Sequence, residues 1–424
     1  LLSGGTATLG GEITANDIDI VGNETASPDG TIHVTGGTTT ATTLNTYSQT
    51  FNQSGGTVTT SGATNVEATS DATFAGNLSA DALNVDAPTV DINAGADVDA
   101  TSTFTPSNVT NLNITGGSLT TPSADLTGVA NTNMSGGLFD VVAIDLTGTN
   151  LNVSGGVFEA NDLDLTQPGS ISHTDGTIRV DGGTLTTADG NLAVNDATGT
   201  PTVELVNGAT TNVGTVNIGT ASNGAVNILS GSQLVSTSGS IGTTGSGTLT
   251  VDGAGSSAAF SGNLHVGASG MVDVSPDAQL TVNSMSMAAG SQVMMNGGTL
   301  ANVAPYLDLP GNASITGHGI VDTAFRGAMD SYLTANGGIL SVGDTMSFLG
   351  FRTDGTLQAD VAATLRLESR GFAQLGPITL MNGGTIEADN GIALGLGKVV
   401  DGTGAISGKI AADFGSIINA SGGD

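Results

Sequence analysis

The sequence predicts an all-β fold, a parallel β-helix (β-solenoid) with about 20 residues in each turn of the solenoid, which we call a coil. The first observation is a glycine series whose members lie 19 to 21 residues apart, as expected of stacked repeats. The series is Gly36, Gly55, Gly76, Gly95, Gly116, Gly136, Gly155 and Gly176. The second observation is that apolar and polar residues alternate in short runs such as Leu112-Asn113-Ile114, which is typical of strands with one buried face. One coil cannot bury this face alone, so neighbouring coils must cover it.

The register of the repeat also predicts a ladder of side-chain amides. The position three residues before the glycine holds Asn52, Asn113, Asn133 and Asn152. Parallel coils would place the last three directly above one another, about 4.8 Å apart. Amides at that spacing can hydrogen-bond along the stack. His33 and His173 stand at the same position, and we expect them to be surface members of this ladder.

A column of carboxylates is predicted nine residues after the glycine, at Asp125, Asp145 and Asp164. Carboxylates stacked so closely repel one another, so they must splay into water, share protons or bind a cation. Calcium prefers such oxygen ligands, and a calcium ladder or diffuse counterions would satisfy this column. Four scattered histidines and the absence of cysteine argue against a zinc site, and no other cofactor is predicted.

Composition excludes several classes of partner. The 424-residue chain has a net charge of −31 and only seven Lys and Arg residues, so it has almost nothing with which to bind nucleic acid phosphates or an anionic membrane surface. No apolar stretch approaches the roughly 18 residues of a membrane-spanning helix. The absence of cysteine excludes disulfides. The start at Leu1 suggests a processed or truncated N-terminus, which leaves a removed signal peptide open.

Along the chain, three sections are predicted. Residues 1–183 form the regular array, and residues 184–300 keep the strand unit with longer corners. Residues 301–424 form a wider or inserted section. Residues 1–301 carry 26 acidic residues against one arginine, whereas residues 302–424 carry 12 against six Lys and Arg. The last section is therefore either a solenoid with a bulkier core or a contact surface for another copy.

Repeated Asn-Gly-Gly units carry a family resemblance. They begin at Asn296, Asn336 and Asn382, and the stretch Gly402-Thr403-Gly404-Ala405-Ile406 belongs to the same type. This sequence pattern resembles the β-solenoid passenger regions of bacterial surface proteins, such as autotransporter passengers and filamentous-haemagglutinin-like adhesins. The resemblance implies a secreted, right-handed parallel β-helix that works at the cell surface.

The expected function is therefore structural and non-enzymatic: a subunit of an extracellular surface fibre, matrix or adhesin. Copies would assemble through stacked coils, head to tail, into a homo-oligomer or filament, with divalent cations or polysaccharide as further candidate partners. The alternative is a polysaccharide-binding or polysaccharide-degrading β-helix protein. Gly317-His318-Gly319 matches a short motif of pectin-hydrolysing β-helix enzymes, but the Asp-Asp, Asn-Thr-Asp and Arg-Ile-Lys segments of that set are missing. Glycoside hydrolysis needs paired carboxylates, so no catalytic residue is predicted.

Overall fold

The chain folds as stacked parallel coils, as the sequence predicts. A computed structural model describes residues 6–21, 30–187, 189–346 and 350–420. These residues form 39 strands and no helix, and therefore no helix that could span a membrane. They make about 19 coils of about 21 residues each, close to the predicted coil length. The chain divides into two compact units: Leu1–Asp189 with Thr198–Val203, and Gly190–Ala197 with Glu204–Asp424.

The first unit contains sixteen complete strands within the described residues. They are β1 (Thr6–Leu9), β2 (Glu12–Thr14), β3 (Asp17–Val21), β4 (Thr31–Val34), β5 (Thr38–Ala41), β6 (Thr43–Gln53), β7 (Thr57–Thr60), β8 (Ala63–Phe74), β9 (Asn77–Asp86), β10 (Thr89–Ile92), β11 (Asp97–Ser107), β12 (Asn111–Asp125), β13 (Asn131–Asp145), β14 (Asn150–Leu165), β15 (Ser170–Asp181) and β16 (Thr184–Thr187).

The remaining strands follow in chain order; β17 and β19 to β39 lie in the second unit, and the residues of β18 are divided between the two units. They are β17 (Asn191–Val194), β18 (Thr202–Val206), β19 (Thr210–Ile218), β20 (Gly224–Leu229), β21 (Gln233–Ile241), β22 (Gly247–Asp252), β23 (Ser257–Val266), β24 (Gly270–Val274), β25 (Gln279–Met287), β26 (Gln292–Asn302), β27 (Leu307–Leu309), β28 (Ser314–Asp322), β29 (Phe325–Gly327), β30 (Tyr332–Asp344), β31 (Phe351–Thr353), β32 (Thr356–Ala359), β33 (Thr364–Ser369), β34 (Ala373–Gln374), β35 (Ile378–Glu387), β36 (Ile392–Leu394), β37 (Val399–Ser407), β38 (Ile410–Ala412) and β39 (Ile417–Ala420).

The core of the first unit is built from columns of inward-facing side chains. In one column, Leu119, Phe139, Phe158 and Ile178 lie opposite one another in consecutive coils, and all four are buried. The rings of Phe139 and Phe158 meet edge to face with their centroids 5.4 Å apart, a favourable geometry for aromatic pairs. The alternation of apolar and polar residues in the sequence thus becomes a continuous apolar interior.

The Gly-Gly corners of the first unit have two physical causes. Gly137 and Gly156 both have a positive φ, 75° and 76°, which residues with a Cβ rarely adopt. A Cβ on Gly137 would also collide with the carbonyl oxygen of Gly117 in the coil below. The corner therefore needs glycine both for its backbone conformation and for the close approach of coils.

Coil length varies in the second unit. Gly224, Gly247 and Gly270 lie opposite one another at steps of 23 residues, whereas Ser314 and Tyr332 lie opposite each other at a step of 18. From β27 onward, the column that continues the second half of β25 consists of separate short strands, and in β29 and β31 Phe325 lies opposite Phe351. These two buried rings stack with centroids 5.2 Å apart. These short strands position the charged residues considered below.

The buried aromatic column yields a stability prediction. Phe158→Ala removes a fully buried ring, and we expect it to lower the free energy of unfolding by about 3–5 kcal/mol. Val142→Ala is the control, since Val142 is 50% exposed in the neighbouring coil and should change stability by less than about 0.5 kcal/mol. Urea unfolding followed by circular dichroism measures both, and equal effects of the two variants would contradict the buried column.

Candidate functional site

The predicted amide ladder is present. The Nδ2 of Asn133 donates to Oδ1 of Asn113 at 2.8 Å, and the Nδ2 of Asn152 donates to Oδ1 of Asn133 at 2.8 Å. The ladder continues downward, since Asn113 donates to Asp91 at 2.7 Å. Asn52 belongs to the same column, although Thr73 stands between it and Asp91. Each rung satisfies one donor and one acceptor of its neighbours on a half-buried surface.

Two further ladders were not predicted from the sequence. Asn111, Asn131 and Asn150 form one, with Nδ2–Oδ1 distances of 3.0 Å at both steps, and Ser170 extends it. The second ladder consists of Asp19, Asn45, Asn65 and Asn84. The ladder of Asn111, Asn131 and Asn150 could have been predicted from the repeated pattern Asn-x-Asn, which places two amides on the outward face of one strand.

The two histidines differ from each other in position. His33 lies opposite Asn52, at the predicted ladder position. The prediction for His173 is wrong, because His173 lies opposite Val153 and Ser172 takes the ladder position opposite Asn152. The coil of His173 has Asp175 where the other coils have the first corner glycine. Its Gly176 therefore corresponds to the second corner glycine and shares its positive φ of 76°.

The three carboxylates predicted to form a column each bond their own turn. Asp125 lies opposite Asp145. In the next coil the last paired residues are Ala143 and Asp162, which stand two positions before Asp145 and Asp164, respectively. The Oδ1 atoms of Asp125, Asp145 and Asp164 accept the backbone N–H two residues onward at 3.0, 3.0 and 2.9 Å. Such Asx turns recur because each aspartate begins an Asp-Leu-Thr triplet.

Hydrogen bonding changes the acidity of one member of this column. The hydroxyl of Thr147 donates to Asp145 at 2.7 Å, and together with the Thr147 amide it lowers the pKa of the Asp145 carboxyl below its usual value of 3.8. Within the described ranges, no group of three or more His, Asp or Glu side chains is arranged to hold a metal ion. Calcium binding by Asp125, Asp145 and Asp164 therefore stays a prediction.

A groove in the second unit brings together charged residues far apart in sequence. Strands β27, β29 and β31 each present a single outward residue between two inward ones, namely Asp308, Arg326 and Arg352. These three residues lie opposite one another in consecutive coils, and Gln374 of β34 follows Arg352. They form one polar column, which we call the arginine column.

The two arginines of this column have different partners. Arg326 forms a bidentate pair with Asp308, at 2.7 and 2.8 Å, and its guanidinium lies 4.1 Å from the centroid of the Tyr306 ring. Arg352 is 57% exposed, and the nearest carboxylate in its described surroundings is Asp354, at 3.8 Å. Asp354 also binds the ammonium group of Lys398 at 3.3 Å.

Two clefts flank this column. The first has a volume of about 530 Å³ and is lined by Ser286, Asp308 and Arg326, with Met285 and Met287 on its apolar side. The second, of about 390 Å³, is lined by Gln374, Lys398 and Asp413 among others. Arg352 and Asp354 line both clefts, so the clefts adjoin and form one groove along the stacking direction.

No family model, curated protein or solved structure matches this chain. The function is therefore inferred from the residues of the chain itself. The groove, like the two further amide ladders, was not predicted from the sequence, although the enrichment of arginine after residue 301 was visible.

The amide ladder can be tested at its central rung. Asn133→Ala removes one donor and one acceptor, so the Oδ1 of Asn113 and the Nδ2 of Asn152 each lose their ladder partner, and we expect a loss of about 1–3 kcal/mol in the free energy of unfolding. Thr127→Ala in the preceding coil is the control, because the backbone N–H that Asp125 accepts is retained. Urea unfolding of both variants measures the difference. A loss no larger than that of the control would show that the ladder adds nothing to stability.

The lowered pKa of Asp145 predicts a pH dependence of stability. A carboxyl whose pKa is lower in the folded state stabilises the fold fully above its unfolded pKa, and this stabilisation is lost as the pH falls through the folded pKa. The difference in unfolding free energy between the wild type and Asp145→Asn should therefore be largest above about pH 4 and shrink in stronger acid. Thr147→Val, which lacks the hydroxyl donor, should raise the Asp145 pKa toward 3.8. A carboxyl titration by NMR with a wild-type midpoint at or above 3.8 would contradict this.

Proposed function

We propose that this chain is a structural, non-enzymatic subunit of an extracellular surface fibre, matrix or adhesin, in which copies stack coil on coil from head to tail. The observation that carries the proposal is the exposed apolar face of the last described coil. Its inward-facing Ile410 and Ile418 are 42% and 50% exposed, whereas Ile392 and Val400, opposite them in the preceding coil, are buried.

The backbone of this coil supports the same proposal. Within the described residues, β38 and β39 pair on one side only, with β36 and β37. The other side presents unpaired N–H and C=O groups, which can template another strand. A cavity of about 220 Å³, lined by Met381, Val400, Ile406 and Ile418 among others, opens in the interior at this level. A further coil would fill it with aliphatic side chains.

The first described coil offers a matching surface. Leu9, Ile13 and Ile18 are half-buried and lie opposite Val34, Thr39 and Leu44, which are buried.

An interface between the last coil of one copy and the first coil of another is heterologous, and heterologous contacts that do not close a ring produce open filaments. Association must overcome a cost of about 4–15 kcal/mol, so the proposal predicts assembly that depends on concentration. The secreted, surface location is part of the proposal and is supported by the resemblance of the repeated sequence units.

The proposal predicts that assembly depends on the last coil. We expect the molar mass from light scattering to rise with protein concentration, and electron micrographs to show filaments. Ile418→Asp places a charge on the apolar face and should leave the protein monomeric, as judged at matched circular dichroism.

Met329→Asp is the control, because Met329 is 70% exposed on a coil of the same unit away from β38 and β39, and should assemble like the wild type. A monodisperse wild-type monomer at all concentrations, with and without calcium, would refute head-to-tail assembly. Filaments of Ile418→Asp equal to those of the wild type would place the contact elsewhere.

A further inference from the structure

The arginine column adds a ligand site to this picture, and its argument does not depend on assembly. We propose that the groove along β27, β29, β31 and β34 binds a carboxylate-bearing saccharide chain, with Arg352 as the anchor for the carboxylate.

The other three arginines with a described ion pair each bind a carboxylate in a neighbouring coil. Arg179 binds Glu159 at 2.9 Å, and Arg366 binds Glu387 at 3.0 Å. In both cases, and for Arg326 with Asp308, the carboxylate lies directly opposite the arginine in a neighbouring coil. Arg352 departs from this rule, because the residues opposite it are Arg326 and Gln374.

The second observation is the charge around Arg352. Arg326 and Arg352 are like charges one coil apart, roughly 4.8 Å in the strand-pairing direction, and such neighbours favour an anion nearby. Asp308 is engaged by Arg326 through both oxygens, and Asp354 is shared between Arg352 and Lys398. With Asp413, which also lines the groove, three cations face three carboxylates, so the groove is neutral by count. This neutral groove occurs in a protein whose net charge is −31.

The geometry of the guanidinium leaves donors of Arg352 available to a ligand. A guanidinium carries five N–H donors and binds carboxylates through two parallel hydrogen bonds. The 3.8 Å separation between Arg352 and Asp354 is too long for a hydrogen bond, so Asp354 does not occupy this donor pair. An incoming carboxylate can therefore bind Arg352 without displacing an existing bidentate partner.

The lining of the groove indicates what surrounds the carboxylate. Ser286, Asp308, Asp354 and Gln374 supply hydroxyl, carboxylate and amide groups, which match the hydroxyls of a sugar. An apolar ligand would displace water from these groups and from Arg352 without replacing its hydrogen bonds. A nucleic acid is disfavoured, because a phosphate at every residue would meet Asp308, Asp354 and Asp413.

The dimensions of the groove favour a chain over a single small anion. Each of the two clefts, about 530 and 390 Å³, is within the range of small-molecule sites, and together they extend along several coils. A linear saccharide can lie along this direction with a carboxylate at Arg352 and its flanking hydroxyls in the two clefts. The ligand class is therefore a hydroxyl-rich chain of low charge density.

Isothermal titration calorimetry tests the site with four probes: a hyaluronan oligosaccharide, an unsulfated chondroitin oligosaccharide, and the carboxyl-reduced form of each. Titrations contain EDTA, so that calcium bridging does not contribute. We expect the wild type to bind at least one uronate probe and to bind its carboxyl-reduced form at least tenfold more weakly. Affinity should fall as salt concentration rises.

Matched variants locate the binding. Arg352→Ala should weaken binding at least tenfold, and Arg352→Lys should restore part of it, because lysine keeps the charge and loses the bidentate fork. Arg366→Ala removes the same charge at an arginine paired with Glu387 that lines neither cleft, and it should bind like the wild type. No binding of any uronate probe by the wild type would overturn the proposal. So would equal affinity for the carboxyl-reduced form, or an Arg352→Ala variant that binds like the wild type.

Discussion

The parallel pairing of each coil with the next is the constraint on which the rest of this structure depends. Because backbone hydrogen bonds fix neighbouring strands about 4.8 Å apart, every side chain must be compatible with the residue opposite it in the adjacent coils. Inside, apolar columns such as Leu119, Phe139, Phe158 and Ile178 meet this condition through burial. Outside, each polar residue type meets it differently, and these differences separate structural columns from candidate binding sites.

Amides, carboxylates and arginines satisfy their hydrogen bonds along the stack in three different ways. An amide is both donor and acceptor, so Asn113, Asn133 and Asn152 bond one another and need nothing else. An ionised carboxylate only accepts hydrogen bonds, so a carboxylate that is stacked on another carboxylate must find a donor within its own coil. Asp145 does so with the amide and hydroxyl of Thr147. A guanidinium only donates, so Arg326 takes the carboxylate of Asp308 from the coil opposite.

Sequence alone could predict the fold and the first ladder because corner spacing is nearly constant in the first unit. Asn113, Asn133 and Asn152 each lie three residues before the first corner glycine, so counting places them in register. The same counting failed at His173, where a non-glycine residue occupies the first corner position and shifts the count by one. The arginine column could not be found by counting. Eighteen residues separate Asp308 from Arg326 and 26 separate Arg326 from Arg352, so the corners vary while the strands stay aligned.

Variable corners also explain why a binding site can arise within a repeating architecture. A strictly periodic coil repeats its outward residues, and repeated residues satisfy one another, as the amides do. When the strands stay aligned but the sequence between them varies, a column can contain neighbouring residues that cannot satisfy each other's hydrogen bonds or charge. Arg352 between Arg326 and Gln374 is such a mismatch, and it leaves donors directed at the groove. The stacking that makes the amide ladders self-sufficient therefore also makes an unmatched cation available to a ligand, since neither neighbour in its column carries a carboxylate.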